Sequence, residues 1–433
     1  MSTIDARPWA RTLDEDARRA LDRFDTAIDA ALEPYLDRLS GSEPRRGKAI
    51  HDLVWGFVEF TPGEIAMIDS PLVQRLRFIR QLGLAHLLFP AAGYSRFEHS
   101  LGSCFVIGRL FQSLHAHAIE DDVDPPSSLD LRLLRHAALL HDVGHCAFSH
   151  ASERVWESPE FTCAPPRRWA EALASHLELQ EKKPSIAEAM TVVALTSPAS
   201  ARLLEISLAL DRVQTGILDW ISDLARIVCG ATLPGMRSGL ASLMSGSMDA
   251  DRMDYLARDS VVSGVNLTGD LRRLMTKMRL QPDGRRGTST IVLEASGQQA
   301  LSDLLLSREI LTQRIYRHSK TIAAEGLLEN ALRLAARLHP SLLDPSTLFW
   351  LGDDVLLDRL SCSPSALEAS EATSALQHLV RAILWRDLPK RALIARPRDL
   401  PPGEDRERLR SLFFSLLWVL SPIGPRILRG IPP

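Results

Sequence analysis

Thirteen histidines are spread over the 433-residue chain, and three of them fall within ten residues. In Leu139-Leu140-His141-Asp142-Val143-Gly144-His145-Cys146-Ala147-Phe148-Ser149-His150 an imidazole stands beside a carboxylate. That pair ligates divalent cations such as Mn, Fe, Mg or Zn. His99 lies 42 residues earlier, in FPAAGYSRFEHSLG. Distant ligands joining a helix-end pair are the usual way a metal site is built inside a helical bundle. Arg96 stands three residues before His99 and on a helix would share its face. A cation beside a metal is costly unless an anion bridges them, so this spacing points to a phosphate substrate. The stretch SMDADRMDYLARDSVVSGV adds Asp249, Asp251, Asp254 and Asp259 with Arg252 and Arg258. If it is helical, Asp251, Asp254, Tyr255 and Asp259 occupy neighbouring positions of one face. One carboxylate from it would complete a His–His–Asp set. Without a metal, the same residues read as a histidine cluster at a helix end and a charged helix with internal ion pairs.

These groups need elements to hold them. LRLLRHAALL has apolar positions at Leu131, Leu134, Ala138 and Leu139, the period of one buried helix face, and Gly144 is expected to break that helix. The Gly93 turn leads into the helix carrying His99. KAIHDLVWGFVEFTP alternates apolar and polar residues and predicts a hairpin with Val58 and Phe60 on one face. EIAMIDSPLVQRLRFIRQLG predicts a helix with Leu72, Leu76 and Ile79 on one side. Pro71 is a plausible internal start, and Arg75, Arg77 and Arg80 form a solvated or phosphate-receiving face. TSTIVLEA (288–295) predicts a strand. QQALSDLLLSREILTQRIYRHSKTIAAEGLLENALRLAARL predicts one long helix bearing Arg308, Arg314, Tyr316, His318 and Lys320. The fold is therefore expected to be all-α, with a short N-terminal β-hairpin and minor strands. Residues 1–47 form a helical extension for packing or oligomerisation, 48–338 the main domain, and 339–433 a C-terminal helical region. Within the last, RDLPKRALIARPRDLPPGEDRERLRS is a basic, proline-rich stretch, either a mobile loop or a surface for a protein partner.

Composition narrows the function classes. Lysine and arginine total 51 against 54 acidic residues, a net charge of −3. That balance carries no global nucleic-acid signature, so phosphates would have to meet local arginines. Five cysteines without a CxxC pair suit a reducing cytoplasm. The N-terminus lacks an apolar signal core, and no apolar run reaches about 18 residues, so no membrane span is expected.

Six motifs in order, IHDLVWGFVEF, DSPLVQRLRFIRQLG, FPAAGYSRFEHSLG, LLHDVGHCAFSH, DADRMDYLARD and RIYRHSK, make the chain from Lys48 to Leu338 resemble the HD-domain phosphohydrolase superfamily. Its nearest likeness there is to the deoxynucleoside triphosphate triphosphohydrolases, the sterile-alpha-motif/HD dNTPases and their bacterial dGTPase-like relatives. The resemblance implies the HD-domain fold, with His99, His141, Asp142 and Asp251 as ligands of a divalent metal. It implies catalytic roles for His145 beside the α-phosphate, for His150 near the leaving group, and for His176. Arg96, Arg252 and Arg308 would bind phosphate oxygens, and Tyr255 would pack against the nucleotide. Gln81 and Asp259 would read the sugar 3′-hydroxyl, with Tyr316 and Leu82 lining the sugar. Asp69, Gln74 and Arg77 match positions where relatives bind a regulatory nucleotide, whereas Ser319 replaces a lysine of some relatives. The implied reaction is water attack on the α-phosphorus of a dNTP, in a cytoplasmic homo-oligomer. Nucleotide-pool control or restriction of phage replication would be its purpose. Two other readings compete: an HD phosphohydrolase acting on another nucleotide or a nucleic-acid end, and a non-catalytic nucleotide-sensing subunit.

Overall fold

Capping chemistry and proline set where most helices begin. In the computed structural model, which describes residues 7–41, 46–161, 164–179, 183–266, 269–284, 287–362 and 371–389, α1 (Glu15–Ser40) starts at Asp14, whose carboxylate accepts from the Ala17 amide. Its buried stripe of Leu21, Phe24, Ile28, Leu32 and Leu36 belongs to the common core, where Phe24 meets Trp169 and Phe349 edge-on. β1 (Lys48–Asp52) and β2 (Gly56–Phe60) pair antiparallel, Ile50 opposite Val58, and Val58 and Phe60 face the core as the alternation predicts. Then come α2 (Pro62–Ile68) and α3 (Pro71–Gln74), the long α4 (Arg96–Glu120) and α5 (Ser128–Leu140). Reciprocal capping boxes begin three of these: Thr61/Glu64, Ser95/Glu98 and Ser127/Asp130.

The middle of the chain supplies α6 (His150–Glu157), α7 (Pro165–His176), α8 (Ile186–Leu195), α9 (Pro198–Leu210), α10 (Ile217–Val228) and α11 (Ser242–Ser245). α12 (Ala250–Ser263) starts at Asp249 and stops at Gly264, whose φ of 71° is the left-handed conformation a helix end favours. α13 (Leu271–Met275) precedes the second hairpin, β3 (Met278–Asp283) and β4 (Thr288–Leu293), with Leu280 opposite Ile291. α14 (Gln298–Leu311), α15 (Ser319–Leu338), α16 (Pro345–Leu348), α17 (Asp353–Ser361) and α18 (Glu371–Leu384) complete the described chain. The fold is all-α, with 68% of the described residues in helix and 7% in strand.

Three sequence expectations are corrected. The helix expected around Arg75 is two short helices and a 3₁₀ turn, Arg75–Phe78. Pro71 lacks the N–H that would carry α2 onward, and Arg75 turns inward instead of standing on a solvated face. The long helix expected after Gln298 is split by a π-turn at Thr312–Tyr316, and α15 restarts at His318, whose ring accepts from the Lys320 amide. Gly144 does not itself end α5, which stops at Leu140. A Cβ on Gly144 would lie 2.0 Å from the Ala187 carbonyl oxygen, so glycine is needed there for the approach of α8. No single helix among the described residues is long and apolar enough to cross a membrane. The bent α8–α9 pair matches by length and composition, and its Met190, Val193, Leu203 and Leu204 are buried in the core. The proline-rich stretch after Pro389 lies outside the described residues.

Candidate metal centre

Side chains from three elements converge: His99 on α4, His141 and Asp142 just past α5, and Asp251 in the first turn of α12. α4 and α12 approach so closely at Gly102 that a Cβ there would sit 1.8 Å from Asp254 Oδ1. His99 Nε2 is 2.8 Å from Asp251 Oδ1 and 4.0 Å from Asp142 Oδ2. His141 Nε2 is 3.4 Å from Asp142 Oδ1 and 3.8 Å from Asp251 Oδ1. The ligand atoms of His99, His141 and Asp142 lie within 4.8 Å of one another.

Neighbours fix which nitrogen of each ring faces inward. His141 Nδ1 is 2.9 Å from the Ala138 carbonyl, so it carries the proton and leaves Nε2 as a lone pair. His99 Nδ1 is 2.7 Å from Asp254 Oδ2, which orients that ring in the same way. Both Nε2 atoms are buried and, as lone pairs, have only the carboxylates of Asp142 and Asp251 to face. A lone pair held 2.8 Å from a carboxylate oxygen repels it unless positive charge lies between them. Burial opposes charge on His99, but Asp251 and Asp254 outweigh it and raise its pKa to about 10. The site gathers positive charge, as a proton or as a cation, and two imidazoles with two carboxylates fit a divalent ion.

The set is held from behind. Asp254, fully buried, accepts from Trp55 Nε1 at 2.6 Å and from Arg258, which also reaches Asp52 at 2.9 Å. Burial works against charge on Asp254, and Arg258 and His99 overcome it to lower its pKa. Arg96 donates to Asp142 Oδ2 at 2.6 Å and to Ser149 Oγ at 2.7 Å. Despite burial, Arg96 and the two neighbouring histidines hold Asp142 well below the usual carboxylate range.

His145 stands next to this cluster, its Nε2 3.3 Å from Asp142 Oδ1 and its Nδ1 2.6 Å from Glu153 Oε1. Glu153 also meets His150 Nδ1 at 3.0 Å, so one carboxylate joins both histidines. Burial and Arg96 disfavour charge on His145, while Glu153 and Asp142 favour it and raise its pKa. The His150 side chain is 70% exposed and faces a cavity of about 390 Å³. Gln81, Leu82, Arg96, Tyr255, Asp259, Arg308 and Tyr316 line that cavity with it. Asp259 accepts from the hydroxyls of Tyr94 and Tyr316, which tie α12 to the segment before α4 and to the π-turn.

Other expected residues lie elsewhere. Arg252 turns to the Gly246 carbonyl, 2.9 Å away. His176, exposed at the end of α7, borders a different cleft with Trp9, Leu173 and Thr196. Asp69 meets Lys48, Gln74 donates to the Ile68 carbonyl, and Arg77 donates to Gln74 and lies 3.6 Å over the Phe97 ring. These three do not line the main cavity. Arg75 and Arg80, expected on an open face, are used internally: Arg75 donates to the carbonyls of Val143, His145 and Phe349, and Arg80 pairs with Asp354. Sequence reasoning missed Glu153, Trp55, Asp52 and Ser149. Only Glu153 carried a signal, lying three residues beyond His150 and thus on its helical face.

A model described as the HD domain matches residues 96–258, and one described as the HD associated region matches residues 270–411. An uncharacterized protein of Bacillus subtilis, YwfO, is 31% identical over 274 residues, 63% of this chain and 52% of its own length. The deoxynucleoside triphosphate triphosphohydrolase SAMHD1 of Gallus gallus is 27% identical over 367 residues, 79% of this chain and 56% of its own. SAMHD1 of Mus musculus is 26% identical over 426 residues, 92% and 62%. The chain thus spans about half the length of these curated relatives. With the histidine–aspartate pair at the end of α5 and the matched regions in this order, the chain carries an HD domain over residues 96–258 followed by an HD-associated region over residues 270–411.

Proposed function

We propose that the protein is a metal-dependent phosphohydrolase that cleaves deoxynucleoside triphosphates to deoxynucleoside and inorganic triphosphate. The observation that carries the reading is the convergence of the buried His99 and His141 imidazole nitrogens on the carboxylates of Asp142 and Asp251, beside a cavity lined by arginine and tyrosine. The names of the SAMHD1 relatives support the choice of substrate. His99, His141, Asp142 and Asp251 would hold the ion: Mn, Mg or Fe, with Zn as a further option. When bound, such an ion supplies Lewis acidity toward a phosphoryl oxygen and acidifies water.

The remaining work falls to the chain. Arg96 and Arg308 place positive charge at the cavity wall, where developing negative charge on the α-phosphoryl oxygens is stabilised. Attack of water on the α-phosphorus breaks its bond to the sugar O5′, and one water proton ends on that oxygen. His145 and His150, joined through Glu153, form the relay for this transfer, with His150 reaching the cavity. Tyr255 and Tyr316 give flat walls for the nucleoside, and Gln81 and Asp259 offer acceptors for the sugar hydroxyl. Asp69, Gln74 and Arg77 would form the contact for a regulatory nucleotide, in a homo-oligomer.

The test is incubation of the full chain with each dNTP and NTP in Mn or Mg, with products resolved by ion exchange. Deoxynucleoside with triphosphate is expected. Mono- or diphosphate products, or no turnover of any nucleotide, would overturn the assignment.

A further inference from the structure

Asp353 is the first residue of α17, in the HD-associated region, and it is wholly buried. An aspartate at a helix start ordinarily caps its own helix. Here Gly352 holds the cap position without a side-chain bond, and the Asp353 oxygens point away. Oδ1 accepts from the Phe148 amide at 2.7 Å, and Oδ2 accepts from the Arg80 amide at 2.9 Å. The Arg80 guanidinium lies 3.7 Å from the same oxygen.

The two amides belong to two separate chain segments that meet at this carboxylate and run on into the lining of the substrate cavity. Phe148 and Ser149 have φ of 58° and 46°, left-handed values that cost a side-chain-bearing residue on the order of 1–3 kcal/mol and need outside support. Ser149 Oγ accepts from Arg96, which holds Asp142, and His150 follows it at the cavity. In the other segment Arg80 precedes Gln81, whose Oε1 is buried without a partner. Gln81, Leu82 and Ala85 of the one segment and Phe148, Ser149 and His150 of the other all line the cavity.

We propose that Asp353 is a positioning residue: its carboxylate clamps the Phe148 and Arg80 amides and so sets the spacing between the histidine loop and the Gln81 segment. Asp353 touches no reacting atom. Its effect on turnover rests on the phosphohydrolase reading above, whereas the clamp itself does not.

The test compares Asp353→Asn and Asp353→Ala with the native full chain, each loaded with Mn. Asparagine keeps one acceptor oxygen and alanine none. Amide hydrogen exchange should accelerate locally in peptides covering 78–84 and 146–151, more for alanine than for asparagine. Bound Mn per chain should stay unchanged, since no ligand is touched. kcat for the preferred dNTP should fall by about 10- to 100-fold in the alanine variant and less in the asparagine variant. Native exchange at both peptides in either folded variant would overturn the clamp. Accelerated exchange with native kcat and KM would overturn its positioning role. If the native protein turns over no nucleotide, the phosphohydrolase reading fails, and the exchange pattern still decides for or against the clamp. If alanine prevents folding, asparagine alone carries the comparison.

Discussion

Asp142 meets Arg96, His141 and His145 at once, so removing it deletes more than one ligand. Asp142→Ala should abolish both stoichiometric metal, measured by mass spectrometry, and hydrolysis; retained metal with full activity would show that the ion sits elsewhere. Asp254 acts one layer back. Asp254→Ala frees the His99 ring and strands Arg258, which is buried between Asp254 and Asp52. Metal affinity should fall about 10- to 100-fold, and denaturant unfolding should show a loss of about 3–5 kcal/mol. Asp259 gives a pH signature. Burial raises its pKa to about 6, against the hydrogen bonds from Tyr316 and Tyr94. A raised carboxyl pKa means that its contribution to stability is complete below about pH 4 and is lost as pH rises through about 6, by about 3 kcal/mol at most. Asp259→Asn, which cannot ionise, should therefore lose less stability than the native chain between about pH 4.5 and 7.5. Parallel urea curves for the two proteins would contradict the raised pKa.

Helices deliver these groups, and two glycines decide how closely they do so. Gly102 lets α4 lie against Asp254 and Arg258 of α12, where a methyl group has no room. Gly102→Ala should destabilise by about 1–3 kcal/mol and weaken metal binding, because the strain falls on the carboxylate that orients His99. An unfolding midpoint equal to the native one would show that α4 and α12 can separate without cost. This contact was not legible in the sequence, where Gly102 is one small residue in a helical run. What was legible followed a single period: the apolar face of α5, the alternation of β2, the strand β4. The failures came where tertiary contacts override that period. Arg75 looks solvated in a helical pattern, but three carbonyls and the Phe349 ring draw it inside. The π-turn that brings Tyr316 to Asp259 leaves no mark in the apolar spacing of α14 and α15.

At the scale of the whole molecule, α1 and the segment around Phe349 enter the same core. Phe24 of α1 packs on Phe349, whose carbonyl binds the Arg75 that also holds the loop after α5. Phe24→Ala should cost about 3–5 kcal/mol, read from denaturant midpoints, and a loss below about 1 kcal/mol would place α1 outside the cooperative unit. The motifs could suggest which residues gather at the centre, since their types and order are written in one dimension. They could not show that a residue near 350 braces a loop near 148, because nothing in the local spacing of Asp353 distinguishes it from any other acid at a helix start. The centre itself joins His99 to Asp251, and so ties together segments more than 150 residues apart. An ion held there would bind the native chain and not the open one, so its free concentration would enter the folding equilibrium directly. At 1,000 times the dissociation constant this linkage is worth about 4 kcal/mol. With such an ion bound, the melting temperature of the protein would become a gauge of the metal around it, and a chain starved of the ion would be one that proteases reach sooner.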